Sequence, residues 1–224
     1  MVCIGCLCRG VTQLAPKRFT QLTSLLLVLV YALTIGLLPA RAETSALPSL
    51  NSFVSSVENG RGTVIRGIYA REAFALPVVQ QPKDNPAYVS SASGYVTEFS
   101  LARRYGTIGM LAHNHLAGAS FFSLEQGDKI SLIYGNGKIE TFIVTQIIRY
   151  QALSPNSPYT PFLDLETGQT KTVEQVFYEM YSGKGHLTLQ TCIAQDNKPS
   201  WGRLFIIAEP MPPIEHDEHP DNDR

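Results

Sequence analysis

The chain has 224 residues, 44% of them apolar and 17% charged, which is enough core-forming material for one ordinary domain plus an appendage and excludes a wholly disordered or collagen-like chain. Its 18 basic residues against 19 acidic ones leave a net charge of -1, so the whole-chain balance excludes an electrostatic nucleic-acid binder. That charge is unevenly placed: Arg9, Lys17, Arg18 and Arg41 are the only charged residues before Glu43, so the first 42 residues carry +4 and the remainder carries -5.

From Leu22 to Leu38 the chain reads LTSLLLVLVYALTIGLL, 17 residues without a charge, entered through Lys17-Arg18 and left through Pro39-Ala-Arg-Ala42. A positive stretch, an apolar run and a small-x-small site in that order mark residues 1–42 as an export signal, either cleaved before Glu43 or retained as a single-pass membrane anchor. Both readings put the body outside the cytoplasm, in the cell envelope or beyond it, and limit membrane contact to this segment. Cys3, Cys6 and Cys8 precede the apolar run, so the exported body keeps one cysteine, Cys192. An unpaired cysteine in an oxidising compartment is a partner for another chain, an inert buried thiol or a nucleophile.

Residues 43–61 read as a linker with room for a short amphipathic helix around Ser52 to Val57. The body, 62–209, is strand-like: Thr63 to Tyr69, Leu76 to Gln80, Thr107 to Ala112, Lys129 to Tyr134, Ile139 to Tyr150, Leu187 to Cys192 and Trp201 to Ala208 are rich in β-branched and aromatic residues, with turn signals between them. Tyr134-Gly-Asn-Gly-Lys138 predicts a tight hairpin. Helices are expected at Phe99 to Tyr105 and at Thr172 to Tyr181, where Val173, Val176, Phe177 and Met180 recur at helical spacing. Many short strands and no βαβ unit make this a mainly β protein with a closed or nearly closed barrel and one or two short helices. The tail, 210–224, holds four prolines and five acids against one arginine and is expected to be disordered. Its His216, Asp217 and His219 have no fixed geometry for a metal.

Alternation along His186-Leu-Thr-Leu-Gln-Thr-Cys192 puts Leu187, Leu189 and Thr191 on one face and Cys192 on the other. If the leucines face the core, the thiol does not. Ile193 to Ser200 reads as a loop, after which Trp201 to Ala208 returns and makes Arg203 a near neighbour of Cys192 across the ladder. An arginine there favours the thiolate and can hold an oxyanion. Among the five histidines, His113 and His115 stand where the strand Thr107 to Ala112 ends and a loop can reach a neighbouring strand end, whereas His186 begins the cysteine strand about 20 Å from the thiol.

Thr188-Leu-Gln-Thr-Cys192 resembles the TLxTC signature of sortases, the bacterial cell-surface cysteine transpeptidases. The arginine on the following strand, the Ala112-His113 strand exit and the stretch Phe121 to Ile130 fall in the family's order, and the resemblance spans roughly Gly62 to Ala208. Ala112, where many sortases have glycine, and the second histidine, His115, are departures. The resemblance implies a sortase-like eight-stranded barrel with a groove for a sorting peptide. In that pattern Cys192 is the nucleophile, His113 the acid and base, Arg203 the oxyanion and peptide holder, and Thr191 assists beside the nucleophile. The partners implied are a surface-protein sorting peptide and an amine nucleophile, with no cofactor, metal or nucleic acid. The segment Gln151 to Gly185 takes the place of the family's specificity loop. Two other functions fit less of the chain: an exported, non-catalytic barrel used for binding, and an L,D-transpeptidase, which would carry glycine before the cysteine and arginine two after it, where Thr191 and Ala194 stand.

Overall fold

The computed structural model describes residues 46–157, 159–183 and 185–211. The export segment 1–42 and nearly all of the acidic tail lie outside that set, and among the described residues no helix is long and apolar enough to cross a membrane.

Ten strands form one sheet: β1 (Ile65–Ala70), β2 (Phe74–Gln80), β3 (Val96–Phe99), β4 (Ile108–Leu111), β5 (Lys129–Tyr134), β6 (Ile139–Ala152), β7 (Phe162–Asp164), β8 (Thr170–Lys171), β9 (Leu187–Gln195) and β10 (Lys198–Pro210). The order is β10-β9-β4-β3-β2-β1-β5-β6-β7-β8, and β10 also pairs with β6. That last pairing joins eight strands into a ring and leaves β7 and β8 as a flap on the outer side of β6. The expected eight-stranded barrel is therefore present, and closing it removes the exposed edges an open sheet would carry.

Among the described residues, three α-helices accompany the ring: α1 (Leu50–Val57), α2 (Ser100–Arg104) and α3 (Val173–Tyr181). The segment expected to be a linker contributes α1, whose N-terminus is capped by the Ser49 hydroxyl accepting from the Ser52 N–H at 3.2 Å. Phe53, on its inner face, is buried and packs 6.1 Å from the Tyr69 ring, so this helix is part of the folded body. The Thr172-Val-Glu-Gln175 start of α3 is a reciprocal capping box, with Gln175 N–H on the Thr172 hydroxyl at 3.3 Å and Thr172 N–H on Gln175 Oε1 at 2.8 Å. Val176, Met180 and Tyr181 face inward from it, and Val173 and Phe177 are half-buried beside them.

Strand alternation sorts the apolar residues into two layers. Ile68, Val78, Val96, Met110, Leu132, Leu187, Leu189, Leu204 and Ile206 fill the barrel interior. Tyr150, Phe205 and Ile207 point out from the same wall and pack under Val176, Met180, Tyr181 and Phe162. The wall made by β6 and β10 is thus apolar on both faces, which the sequence shows as the unbroken run Leu204-Phe-Ile-Ile-Ala208.

The Tyr134 to Lys138 hairpin forms as expected, with Gly137 at φ 82° and Asn136 Oδ1 accepting from the Lys138 N–H at 3.1 Å. Between β9 and β10 the expectation fails. Ile193 to Ser200 is not a loop: β9 runs on to Gln195, β10 begins at Lys198, and the connection is the two-residue turn Asp196-Asn197, both residues at positive φ. Asp and Asn tolerate that conformation better than most residues, and both φ values suit a tight antiparallel hairpin.

Candidate active site

Cys192 and Arg203 are direct partners across the antiparallel β9–β10 ladder. On the other side, β4 runs parallel to β9 in the register Ile108 to Leu187 through Leu111 to Gln190. The register continues past the end of β4, because the Ala112 N–H donates to the Gln190 carbonyl at 3.2 Å and the Thr191 hydroxyl donates to the Ala112 carbonyl at 2.9 Å. His113 is the next residue, and so it comes level with Cys192. Leu189, Met110, Ala112 and Leu204 point into the barrel, which turns His113, Cys192 and Arg203 outward together. All three are half-buried. Neighbouring strands lie about 4.8 Å apart, so the backbones of His113 and Arg203 flank that of Cys192 on either side.

Each member of the row has fixed surroundings. The His113 carbonyl accepts from the Leu116 and Gly118 N–H groups, both at 3.0 Å, which bends the chain sharply after β4. Gly118 must be glycine there, since a Cβ would collide with the Thr191 hydroxyl and the His113 carbonyl. Asn114 Nδ2 donates to the Pro199 carbonyl at 3.0 Å and ties this bend to the β9–β10 hairpin. Arg203 Nη1 donates to the Ser200 and Gly202 carbonyls at 3.2 and 2.8 Å, and its Cζ lies 5.9 Å from the centroid of the Phe162 ring. Among the described residues it has no carboxylate within ion-pair distance. A guanidinium carries five N–H donors, so three remain open.

Thr191 lies on the inner face with Leu187 and Leu189, as the alternation along β9 implies; it is 2% exposed and its hydroxyl joins β9 to β4. His115 is exposed, with its ring centroid 5.5 Å from that of His113. It lines a separate hollow of about 380 Å³ with Leu76, Leu116 and Ser120. His186 is buried, its Nε2 bonded to the Met180 carbonyl at 3.1 Å.

Next to Arg203 a groove of about 240 Å³ runs over the outer face of the wall, between α3 and the chain around β7. Phe99, Phe162, Val176, Phe177 and Phe205 give it apolar sides, with Gln190 and Arg203 at its floor. Its wall is braced by Lys171, whose ammonium contacts Glu179 Oε2 at 2.7 Å and Asp164 Oδ2 at 3.4 Å, linking β8, α3 and β7. Asn114, Gly118 and the Gln190 contact with Tyr181 were not predicted from sequence. The only sequence signal for the first was an asparagine between two histidines. No group of three potential metal ligands occurs among the described residues.

The arrangement places a thiol, an imidazole and a guanidinium on three neighbouring strand positions, and the guanidinium also lines the apolar groove. No family model matches the chain, and no curated protein does. The fold is similar to solved sortases at low identity. Sortase C1 from Streptococcus suis is 13% identical with a TM-score of 0.43, and 92% of each chain is covered. Streptococcus agalactiae sortase C1 in complex with MTSET is 16% identical with a TM-score of 0.41, over 89% of this chain and 92% of that one. A lid mutant of sortase A from Corynebacterium diphtheriae is 14% identical with a TM-score of 0.43, over 69% of this chain and 73% of that one.

Proposed function

We propose that this chain is a sortase-type cysteine transpeptidase that cleaves a sorting peptide and passes its acyl part to an amine. The observation that carries the reading is the register: Cys192 opposite Arg203 on β10 and level with His113 beyond β4, all on the outer face. A thiol nucleophile needs a proton partner and a donor for the charge that develops on the substrate oxygen, and this row supplies one residue of each kind.

In the first half-reaction the Cys192 thiolate attacks the scissile carbonyl carbon, forming the S–C bond and a tetrahedral oxyanion. The open donors of Arg203 hold that oxyanion. His113, as imidazolium, gives its proton to the amine nitrogen as the C–N bond breaks, leaving a thioester. In the second half, neutral His113 takes a proton from the incoming amine, whose nitrogen forms the new C–N bond as the S–C bond breaks and the thiolate returns. Water in place of the amine gives hydrolysis. The peptide's acyl side lies in the groove beside Arg203, and Thr191 acts on the reaction through position, by fixing β9 against β4. Residues 1–42 export the domain and, if retained, anchor it at the cell envelope.

The test is to incubate the full chain with a degenerate peptide library and triglycine, and to locate adducts by peptide mass spectrometry. An acyl group on Cys192 that triglycine removes as the ligated product supports the reading. Absence of any adduct on a thiol that iodoacetamide alkylates refutes it and favours a binding barrel.

A further inference from the structure

Gln190 is a polar side chain of the groove that the two half-reactions leave without a task. Gln190 precedes Cys192 by two residues on β9 and faces the same side, about 7 Å away along the strand. The Tyr181 hydroxyl donates to Gln190 Oε1 at 2.5 Å. Burial raises the Tyr181 pKa, so the phenol stays protonated and remains a donor. With its oxygen engaged, the Gln190 amide is held in one orientation. Its Nε2 has no partner among the described residues and is not sealed from solvent, so it is available to the groove that Gln190 lines.

What would meet that donor follows from the surroundings. The groove walls are mostly apolar, with Ser157, Thr160 and Tyr181 as their hydroxyl residues and Arg203 as the one charged residue lining it, so a peptide bound there loses water from its backbone carbonyls. A carbonyl buried without a donor is costly. An extended peptide advances about 3.4 Å per residue, so with its scissile carbonyl at Cys192 the residue two positions upstream lies level with Gln190.

We propose that Gln190 Nε2 donates a hydrogen bond to the backbone carbonyl of the residue two positions before the acylated one, and that Tyr181 is the positioning residue that keeps this amide turned as a donor. The proposal rests on the peptide-acylation reading above. Gln190 makes the groove select for an extended backbone in one register, independently of which side chains fill its apolar pocket.

The test uses the full chain and a single probe, the N-acetylated and C-amidated hexapeptide that acylates Cys192 fastest out of a degenerate library. The same peptide is then made with an ester linkage following the carbonyl two residues upstream, which weakens that carbonyl as an acceptor. The wild-type protein should acylate roughly fivefold to tenfold more slowly with the ester, the size of one lost hydrogen bond. In Gln190→Met the ester penalty should fall below about twofold, since the donor is already missing, and the N–H lost with the ester cancels in the comparison. Gln190→Glu, which also lacks the donor, should behave likewise, and Tyr181→Phe should fall between. Iodoacetamide alkylation of Cys192 and the melting temperature report folding in each variant. An ester penalty equal in wild type and Gln190→Met overturns the inference while leaving the acylation reading intact. If no peptide acylates a Cys192 that still alkylates, both fail together.

Discussion

Replacing Arg203 by lysine separates two roles that a cation can play beside a thiol. Nη1 is committed to the Ser200 and Gly202 carbonyls at 3.2 and 2.8 Å, and the guanidinium carbon lies 5.9 Å from the Phe162 ring centroid. Nε and Nη2 still present three N–H donors in a planar fork, with no carboxylate among the described residues drawing them away. An ammonium has three donors at one point; taking over the two carbonyls leaves it one, without the fork. Removal of one oxyanion donor costs about a hundredfold to a thousandfold in rate. Stability should change little, because no ion pair is broken and surface charge contacts contribute at most about 1 kcal/mol. Arg203→Lys should therefore acylate Cys192 at least about a hundredfold more slowly in a mass-spectrometric time course. Iodoacetamide alkylation and the melting temperature should stay at wild-type values. Near-normal acylation with an unchanged melting temperature would take Arg203 out of the reaction and leave a pair of cysteine and histidine.

His113→Ala should collapse turnover by several orders of magnitude, whereas His115→Ala should change it modestly; the reverse order in a peptide-ligation assay would move the proton role to His115. Thr191→Val removes a buried hydroxyl donor from the Ala112 carbonyl and should cost about 1–2 kcal/mol, read as a melting temperature lower by a few degrees. Asp164 is nearly buried, and burial works to raise its pKa, yet the Thr167 and Glu166 N–H groups and Lys171 outweigh it and hold the carboxyl below its ordinary value. A folded pKa lower than the unfolded one stabilises the protein above about pH 4, and that contribution is lost as pH falls through the folded value. The melting-temperature gap between wild type and Asp164→Asn should therefore close on acidification from pH 5 to pH 2, and a gap constant over that range would refute the assignment.

Strand identity was legible wherever β-branched residues ran long enough. Lys129 to Tyr134 has the observed boundaries, and Leu187 to Cys192 and Trp201 to Ala208 lie inside longer strands. The pairing of Cys192 with Arg203 followed from these two runs. The readings that failed had local causes. β3, β7 and β8 are two to four residues long and too short to show a period. Asp196-Asn197 looked like part of a polar loop because the φ values that make it a tight turn leave no mark in hydrophobicity. The inward face of Thr191 was legible from the same alternation that turns Cys192 outward. Asn114 and Gly118 could not be found, since their contacts with Pro199 and Thr191 join positions more than seventy residues apart.

The outer face of β9 fits the proposal that chemistry sits at one end of it. Thr188, Gln190 and Cys192 share that face, and α3 covers them unequally. Thr188 is fully buried, with its hydroxyl on the Met180 carbonyl at 2.6 Å. Gln190 is half-buried and accepts a hydrogen bond from Tyr181 of the helix, and Cys192 lies beyond it, next to Arg203 and level with His113. One strand with a period of two therefore yields an anchoring position, a position that can meet a ligand's backbone and the proposed reacting position, in that order, because Thr188 is sealed whereas Gln190 and Cys192 are only half-buried. The geometry of the row depends on ladder pairing and on the Thr191 hydroxyl, all within the barrel. The groove depends on α3 and its Lys171 brace, outside the barrel. A substitution that loosens α3, such as Lys171→Ala, should accordingly weaken peptide binding while leaving the alignment of the thiol, imidazole and guanidinium in place.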